Sequence, residues 1–400
     1  MNILVLTTIY SDPEDTVEAG TSPVVHNFAR EWVKSGHNVL LIHNFNTFLL
    51  PMYYVPKKIY DLVSNKVGFR TTLNPKQRKQ IHYVNEGVRV YRVPVLKVVP
   101  MGPYSKGRLV SQYKRIIKIL NDTSFSPDVI VAHAENPQVY QLYELKKRYP
   151  DSITCLVFHG VDYLGRPQFK KWREEYLPTI DKFGFRSESI LRKAKDVLGF
   201  NRDYFMCPSG IANEYVIKSV PKSSRKIRKI IYVGQLIERK HLKTLIEALS
   251  RFPERGYELT VVGVGPQKEE DEQLARVLGV NARFLGKLPH GTVIDEMSKS
   301  DCFVMVSENE VFGLVYLEAM AQGCITIASE KEGMEGIIQN GGNGFLTKAG
   351  DIEGLASVFD TIENMEEIEI IKIRNAALEL ARQYSETNVA ENYLKNVTSR

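Results

Sequence analysis

Four cysteines are spread through 400 residues, at 155, 207, 302 and 324, and no two stand as C-x-x-C. That spacing offers neither a zinc site nor a disulfide framework. Long apolar runs are missing too. The best candidate, NVLLIHNFNTFLLPMYYVP, is interrupted by His43, Asn44, Asn46 and Pro51, and falls short of the roughly 18 unbroken apolar residues a spanning helix needs. The start, MNILVLTTIYS, has no basic lead-in and no small-residue cleavage site, so it reads as a first buried strand rather than a signal peptide. These absences predict a cytoplasmic chain. No low-complexity segment or short-period repeat occurs, and 43% hydrophobic with 25% charged residues describes a globular protein.

Negative charge is scarce in the first half. Residues 1–210 sum to +11 and residues 211–400 to −5. Between Lys57 and Lys118 there are 15 basic and 2 acidic side chains. The aromatic and basic mixture over 47–118 suits the inner face of an anionic membrane, to which the chain would bind peripherally. An ordinary basic surface beside a partly buried loop is the competing reading. Nucleic acid is not expected, because no stacking-aromatic or recognition-helix motif accompanies the charge.

What is present is a rhythm of strands and helices. NILVLTTI, HNVLLIHN, VRVYRVPV, PDVIVAHAE and SITCLVFHG read as strands, with helices over SPVVHNFAREWVKSG, SKGRLVSQYKRIIKILNDT and PQVYQLYELKKRYP between them. RKIIYVGQL, YELTVVGVGP, ARFLGKLP, DCFVMVS and CITIAS restart the pattern. Continuous rather than alternating apolar runs indicate parallel strands covered on both faces. The fold class is therefore α/β, with two doubly wound, Rossmann-like parallel-sheet domains facing a cleft. The basic, periodicity-free VIKSVPKSSRKIRK, residues 216–229, reads as the linker between domains 1–215 and 230–385.

The stretch ENEVFGLVYLEAMAQG sets two carboxylates, Glu310 and Glu318, eight positions apart around a strand-to-helix turn. The N–H groups of Phe312, Gly313 and Leu314 would point from the helix start toward negative charge, and Gly313 permits close backbone approach. Glu318, about one and a half turns into the helix, can accept from a vicinal diol such as a ribose; Glu310 can reach a second polyol. Two polyols joined by a diphosphate describe a nucleotide sugar. Two solvated helix caps are the plainer alternative.

This stretch resembles the E-x7-E signature of retaining family 4 glycosyltransferases of the GT-B fold: Glu310, Phe312-Gly313-Leu314, Leu317-Glu318-Ala319-Met320-Ala321 and Gly323. YVGQLIERKHLKTLIEAL, LTVVGVGPQ, FLGKLPHGTVIDEMSKSD and CPSGIANEYV resemble further segments of that family, and REWVKSGHNV does so more loosely. The resemblance implies transfer of a sugar from a UDP- or GDP-linked donor to an acceptor hydroxyl, and the basic, aromatic first half suggests that the acceptor is a glycan or lipid-linked one, in cell-surface polysaccharide synthesis. The resemblance also implies Lys240 at the donor diphosphate, backbone of Val262, Gly263, Lys287 and Leu288 at the base, and Gly20 and Thr21 as phosphate-facing amides. A histidine at a first-domain strand end would contact the sugar; His133 is the first candidate and His159, in VFHGVD with Asp162, the second. The last helix, 386–400, would complete the first domain. Without a D-x-D at a strand end, neither metal nor other cofactor is expected. Three positions depart from the family: Gln235 stands where an arginine is usual, with Arg239 as its possible substitute, and His241 and Val311 replace glycines. A nucleotide-sugar-binding subunit without turnover is the alternative raised by Gln235. The G-x-G of VVGVGP lacks the third glycine and the acidic residue of a dinucleotide site.

Overall fold

The computed structural model describes residues 1–11, 23–49, 53–55, 79–97, 102–161, 164–220 and 227–399. Gly20, Thr21 and Asp162 lie outside these, as do residues 56–78 of the basic stretch and 221–226 of the expected linker. The chain divides into two compact units, one of residues 1–186, 190–207 and 389–400, the other of 187–189 and 208–388.

In the first unit the strands are β1 Asn2–Thr7, β2 Asn38–Thr47, β3 Ile81–Asn85, β4 Val88–Leu96, β5 Val129–His133, β6 Ile153–Phe158, β7 Lys182–Phe185 and β8 Phe205–Met206. Among the described residues they form one sheet in the order β3-β4-β2-β1-β5-β6-β7-β8. Helices α1 Val24–Lys34, α2 Lys106–Asp122, α3 Gln138–Arg148 and α4 Glu188–Leu198 alternate with them. Ile3, Leu4, Val5 and Leu6 are wholly buried, as expected for a central strand flanked in parallel by β2 and β5.

Parallel pairing is not universal. β3 pairs antiparallel with β4, Asn85 opposite Val88, and the sequence reading missed β3 altogether. Its exposure alternates along the strand, the mark of a sheet edge wetted on one side. The two-residue connection is Glu86 (φ 45°) and Gly87 (φ 83°), left-handed at both positions as a tight hairpin turn requires.

The second unit carries β9 Lys229–Val233, β10 Glu258–Val262, β11 Asn281–Gly286, β12 Cys302–Val304, β13 Ile325–Ser329 and β14 Phe345–Thr347. All are parallel, in the order β11-β10-β9-β12-β13-β14. Its helices are α5 Leu242–Leu249, α6 Lys268–Val277, α7 His290–Ser298, α8 Leu314–Ala321, α9 Ile352–Asn364 and α10 Glu367–Gln383. The final helix, α11 Glu386–Thr398, has its residues from Val389 onward in the first unit. There Tyr393 meets Phe28 and Trp32 at ring separations of 5.1 and 5.2 Å, and Trp32 Nε1 donates to Ala390 O at 2.9 Å.

Both sheets are doubly wound. In the second, chain order runs outward from β9 to β11 on one side and from β12 to β14 on the other, so adjacent β9 and β12 send their following loops to opposite faces. The crevice this opens at the carboxyl ends of the strands is where such folds bind ligands. The equivalent point in the first unit lies between β1 and β5, where Thr7 pairs with His133.

Candidate functional site

The switch point of the second unit collects the residues singled out at 235–240 and 310–318. Beyond β9 the chain passes Gln235, which is exposed, and reaches Lys240, which is buried. Beyond β12 it passes Ser307 and turns through Glu310 into α8. Lys240 Nζ and Glu310 Oε2 form an ion pair across these two loops, and Ser307 Oγ donates to the same Oε2 at 3.2 Å. Glu310 Oε1 makes no hydrogen bond among the described residues. Burial lowers the Lys240 pKa, Glu310 opposes that, and the nearby charge of Arg239 lowers it further.

Arg239 joins the two loops through backbone. Its Nη1 donates to Glu308 O at 3.2 Å, and Glu308 N donates to Arg239 O at 2.7 Å. A second cation thus stands beside Lys240, although Gln235 supplies none. His241 follows with φ 51° and ψ 39°, left-handed geometry that explains why glycine suits this position and histidine occupies it at a strain cost.

The turn into α8 is set by Gly313, with φ 87°. A β-carbon there would come within 2.4 Å of the Tyr316 ring. Tyr316 is held by its hydroxyl donating to Met305 O at 2.6 Å. Packing against Tyr316 and the left-handed backbone are thus visible reasons for glycine here, alongside the expected room for a ligand. Phe312 is buried near Tyr384, and Glu332 accepts from Glu310 N at 2.8 Å. Glu318 is largely buried, its carboxylate bonded to His290 Nε2 at 2.9 Å.

Val262-Gly263 and Lys287-Leu288 close neighbouring strands. Gly263 N donates to Gly286 O at 2.8 Å and Gly234 N to Val262 O at 3.0 Å. Gly263 has φ 146°, and a β-carbon on it would lie 1.8 Å from Gly234 O. The backbone loops after β9, β10 and β11 therefore interlock at the expected base-binding positions.

In the first unit His133 ends β5 with its side chain wholly enclosed. Its Nδ1 lies 3.0 Å from His159 Nε2 and its Nε2 lies 3.3 Å from the Tyr393 hydroxyl, while its ring stacks on Phe28. Burial, with the Arg186 charge assisting, lowers its pKa to about 3, so it is a neutral hydrogen-bonding group at ordinary pH. His159, partly buried, is also driven well down, first by burial and then by Arg186 and His133.

Sequence reasoning overlooked Ser307, Glu332, Tyr393 and His290. Ser307, the last residue of a strand-like run, was open to discovery. Tyr393 and His290 are distant in sequence from the groups they touch and left no local signal.

Two doubly wound units with a lysine and the paired glutamates at one switch point define the GT-B class of fold. Residues 216–383, within the second unit, match the family described as glycosyl transferases group 1. The chain is 27% identical over 322 residues to a sulfoquinovosyl transferase of Arabidopsis thaliana, covering 74% of this chain and 60% of that one. It is 32% identical over 217 residues to a phosphatidyl-myo-inositol mannosyltransferase of Mycolicibacterium smegmatis, covering 52% and 51%. The chain thus spans about half to three-fifths of the length of these relatives. A solved Anabaena protein in complex with UDP and glucose superposes with a TM-score of 0.65 at 16% identity, covering 100% of both chains. Among the described residues no helix is long and apolar enough to cross a membrane.

Proposed function

We propose that the protein transfers a sugar, with retention of anomeric configuration, from a UDP- or GDP-linked donor to a hydroxyl of a glycan or lipid-linked acceptor. The observation that carries this reading is the buried Lys240–Glu310 pair at the β9/β12 switch point. Negative charge grows on a departing nucleoside diphosphate as the anomeric C–O bond breaks, and a fixed, desolvated cation stabilises that charge more than water does. Lys240, with Arg239 beside it, supplies the cation. Glu310 Oε1 remains available to a sugar hydroxyl. Glu318 takes the ribose diol; of the two strand-end histidines, the partly exposed His159 is assigned to the transferred sugar in place of His133, the first candidate, which is wholly enclosed and holds it. In front-side attack the acceptor oxygen bonds to the anomeric carbon as the diphosphate leaves, and a phosphate oxygen takes the acceptor's proton.

Because protein cations are assigned to the diphosphate, transfer is expected to persist in EDTA. The mannosyltransferase relative, named for a phosphatidyl-inositol, supports screening lipid acceptors as well as glycans. The deciding experiment is thermal unfolding with UDP, GDP, ADP and CMP, with and without EDTA, followed by turnover assays using the matching sugar donors. One nucleotide at 100 times its dissociation constant should stabilise by about 2.7 kcal/mol. Binding without turnover on any acceptor would favour the subunit reading. No stabilisation by any nucleotide would refute the donor site.

A further inference from the structure

His290 begins α7 directly after Pro289, and nothing in the E-x7-E pattern refers to it. Its imidazole is 54% exposed, yet Nε2 lies 2.9 Å from Glu318 Oε1, on a side chain only 9% exposed. The Tyr215 ring stands edge-on to the imidazole at 5.0 Å. Among the described residues His290 is the one hydrogen-bond partner of the Glu318 carboxylate. An ionised carboxylate only accepts, so Nε2 carries the hydrogen.

We infer that His290 is the positioning residue for Glu318, anchoring Oε1 so that Oε2 and the remaining lone pair of Oε1 stay presented to the donor's ribose. This rests on the assignment of Glu318 to that ribose. An unanchored glutamate one and a half turns into a helix samples several rotamers, and a diol must then select one of them. An anchored carboxylate has met that cost before the ligand arrives. Protonation of the second ring nitrogen alters the balance. An imidazolium draws more of the carboxylate's charge to itself and leaves a weaker acceptor for hydroxyls. The groups facing His290 are Glu318 on α8, Glu386 at the start of α11 and the Tyr215 ring, and the hydrogen bond with Glu318 does most to raise its pKa above the ordinary 6.5. Ribose affinity is therefore greatest when His290 is a neutral Nε2–H donor.

The test measures dissociation constants for UDP and GDP, and donor kinetics, in wild type, His290→Ala, His290→Gln and Glu318→Ala. Unliganded melting temperatures check folding of each. His290→Ala should bind the preferred nucleotide about tenfold more weakly, with kcat at saturating donor nearly unchanged. His290→Gln, which keeps an N–H near the same place, should recover most of the loss. From pH 8 to pH 6, wild type should lose affinity relative to His290→Gln, which does not titrate; protonation of the nucleotide itself affects both equally. Wild-type binding by His290→Ala together with lost binding by Glu318→Ala would overturn the role of His290 and leave the ribose assignment standing. Unchanged binding by Glu318→Ala would remove both. A fall in kcat without a change in affinity would also overturn the proposal.

Discussion

At the scale of single residues the second unit depends on charge held out of water. Lys240 and Glu310 are 10% and 15% exposed, so removing one leaves the other buried and uncompensated, a change that commonly costs about 3–5 kcal/mol. Lys240→Met is expected to lower stability by an amount in the lower part of that range, because Ser307 still bonds Glu310, and to reduce turnover by about 100-fold or more. A urea melt and an initial-rate assay measure the two effects separately. Wild-type turnover in the variant would remove Lys240 from the diphosphate. The sequence made Lys240 and both glutamates conspicuous through family-like spacing. Ser307 stands three positions before Glu310 and its contact was within reach of the sequence; that His290 would meet Glu318 was not, because that contact joins side chains from separate elements.

At the scale of elements, loops after successive strands support one another through backbone contact. Gly263 admits no β-carbon without displacing the Gly234 carbonyl, and its φ of 146° lies where L-residues are rare. Gly263→Ala is therefore expected to destabilise the second unit by about 2 kcal/mol or more and to weaken nucleotide binding in parallel. Thermal unfolding and nucleotide titration of the variant check this; unchanged values for both would show that the loop after β9 moves aside freely. Most strands and helices could be read from apolar periodicity. β3 could not, because its short alternating run beside a Glu-Gly turn resembles a loop until β4 pairs with it. Helices α4 and α10 and strands β7 and β8 also went unread; β8 is only two residues long.

At the scale of the whole molecule, pH acts unequally on the two units. His133 is neutral when folded, its pKa lowered from 6.5 to about 3, so the unfolded chain binds more protons across that window. Stability from its burial is complete above about pH 6.5 and is lost as pH falls toward 3. At pH 5 the expected loss from His133 is about 2 kcal/mol. Trp32 and Trp172, the two tryptophans, both lie in the first unit, so their fluorescence follows that unit alone. Urea melts at pH 7.5 and pH 5 should show a larger drop for wild type than for His133→Gln. Equal drops would place the acid sensitivity elsewhere.

The sequence by itself determined the α/β class, the two doubly wound sheets and the E-x7-E turn, because strand burial and helix starts are written in local apolar spacing and turn residues. Only the tertiary structure decided which groups share a proton or a charge. The strand order places the loops after β9 and β12 side by side, bringing Lys240 to Glu310. The interlocking of backbone after β9, β10 and β11 dictates where glycine is required. The burial of His133 between Phe28, His159 and Tyr393 keeps it neutral. Each is a matter of distance between residues far apart in the chain, and distance is set by packing rather than by spacing along the sequence.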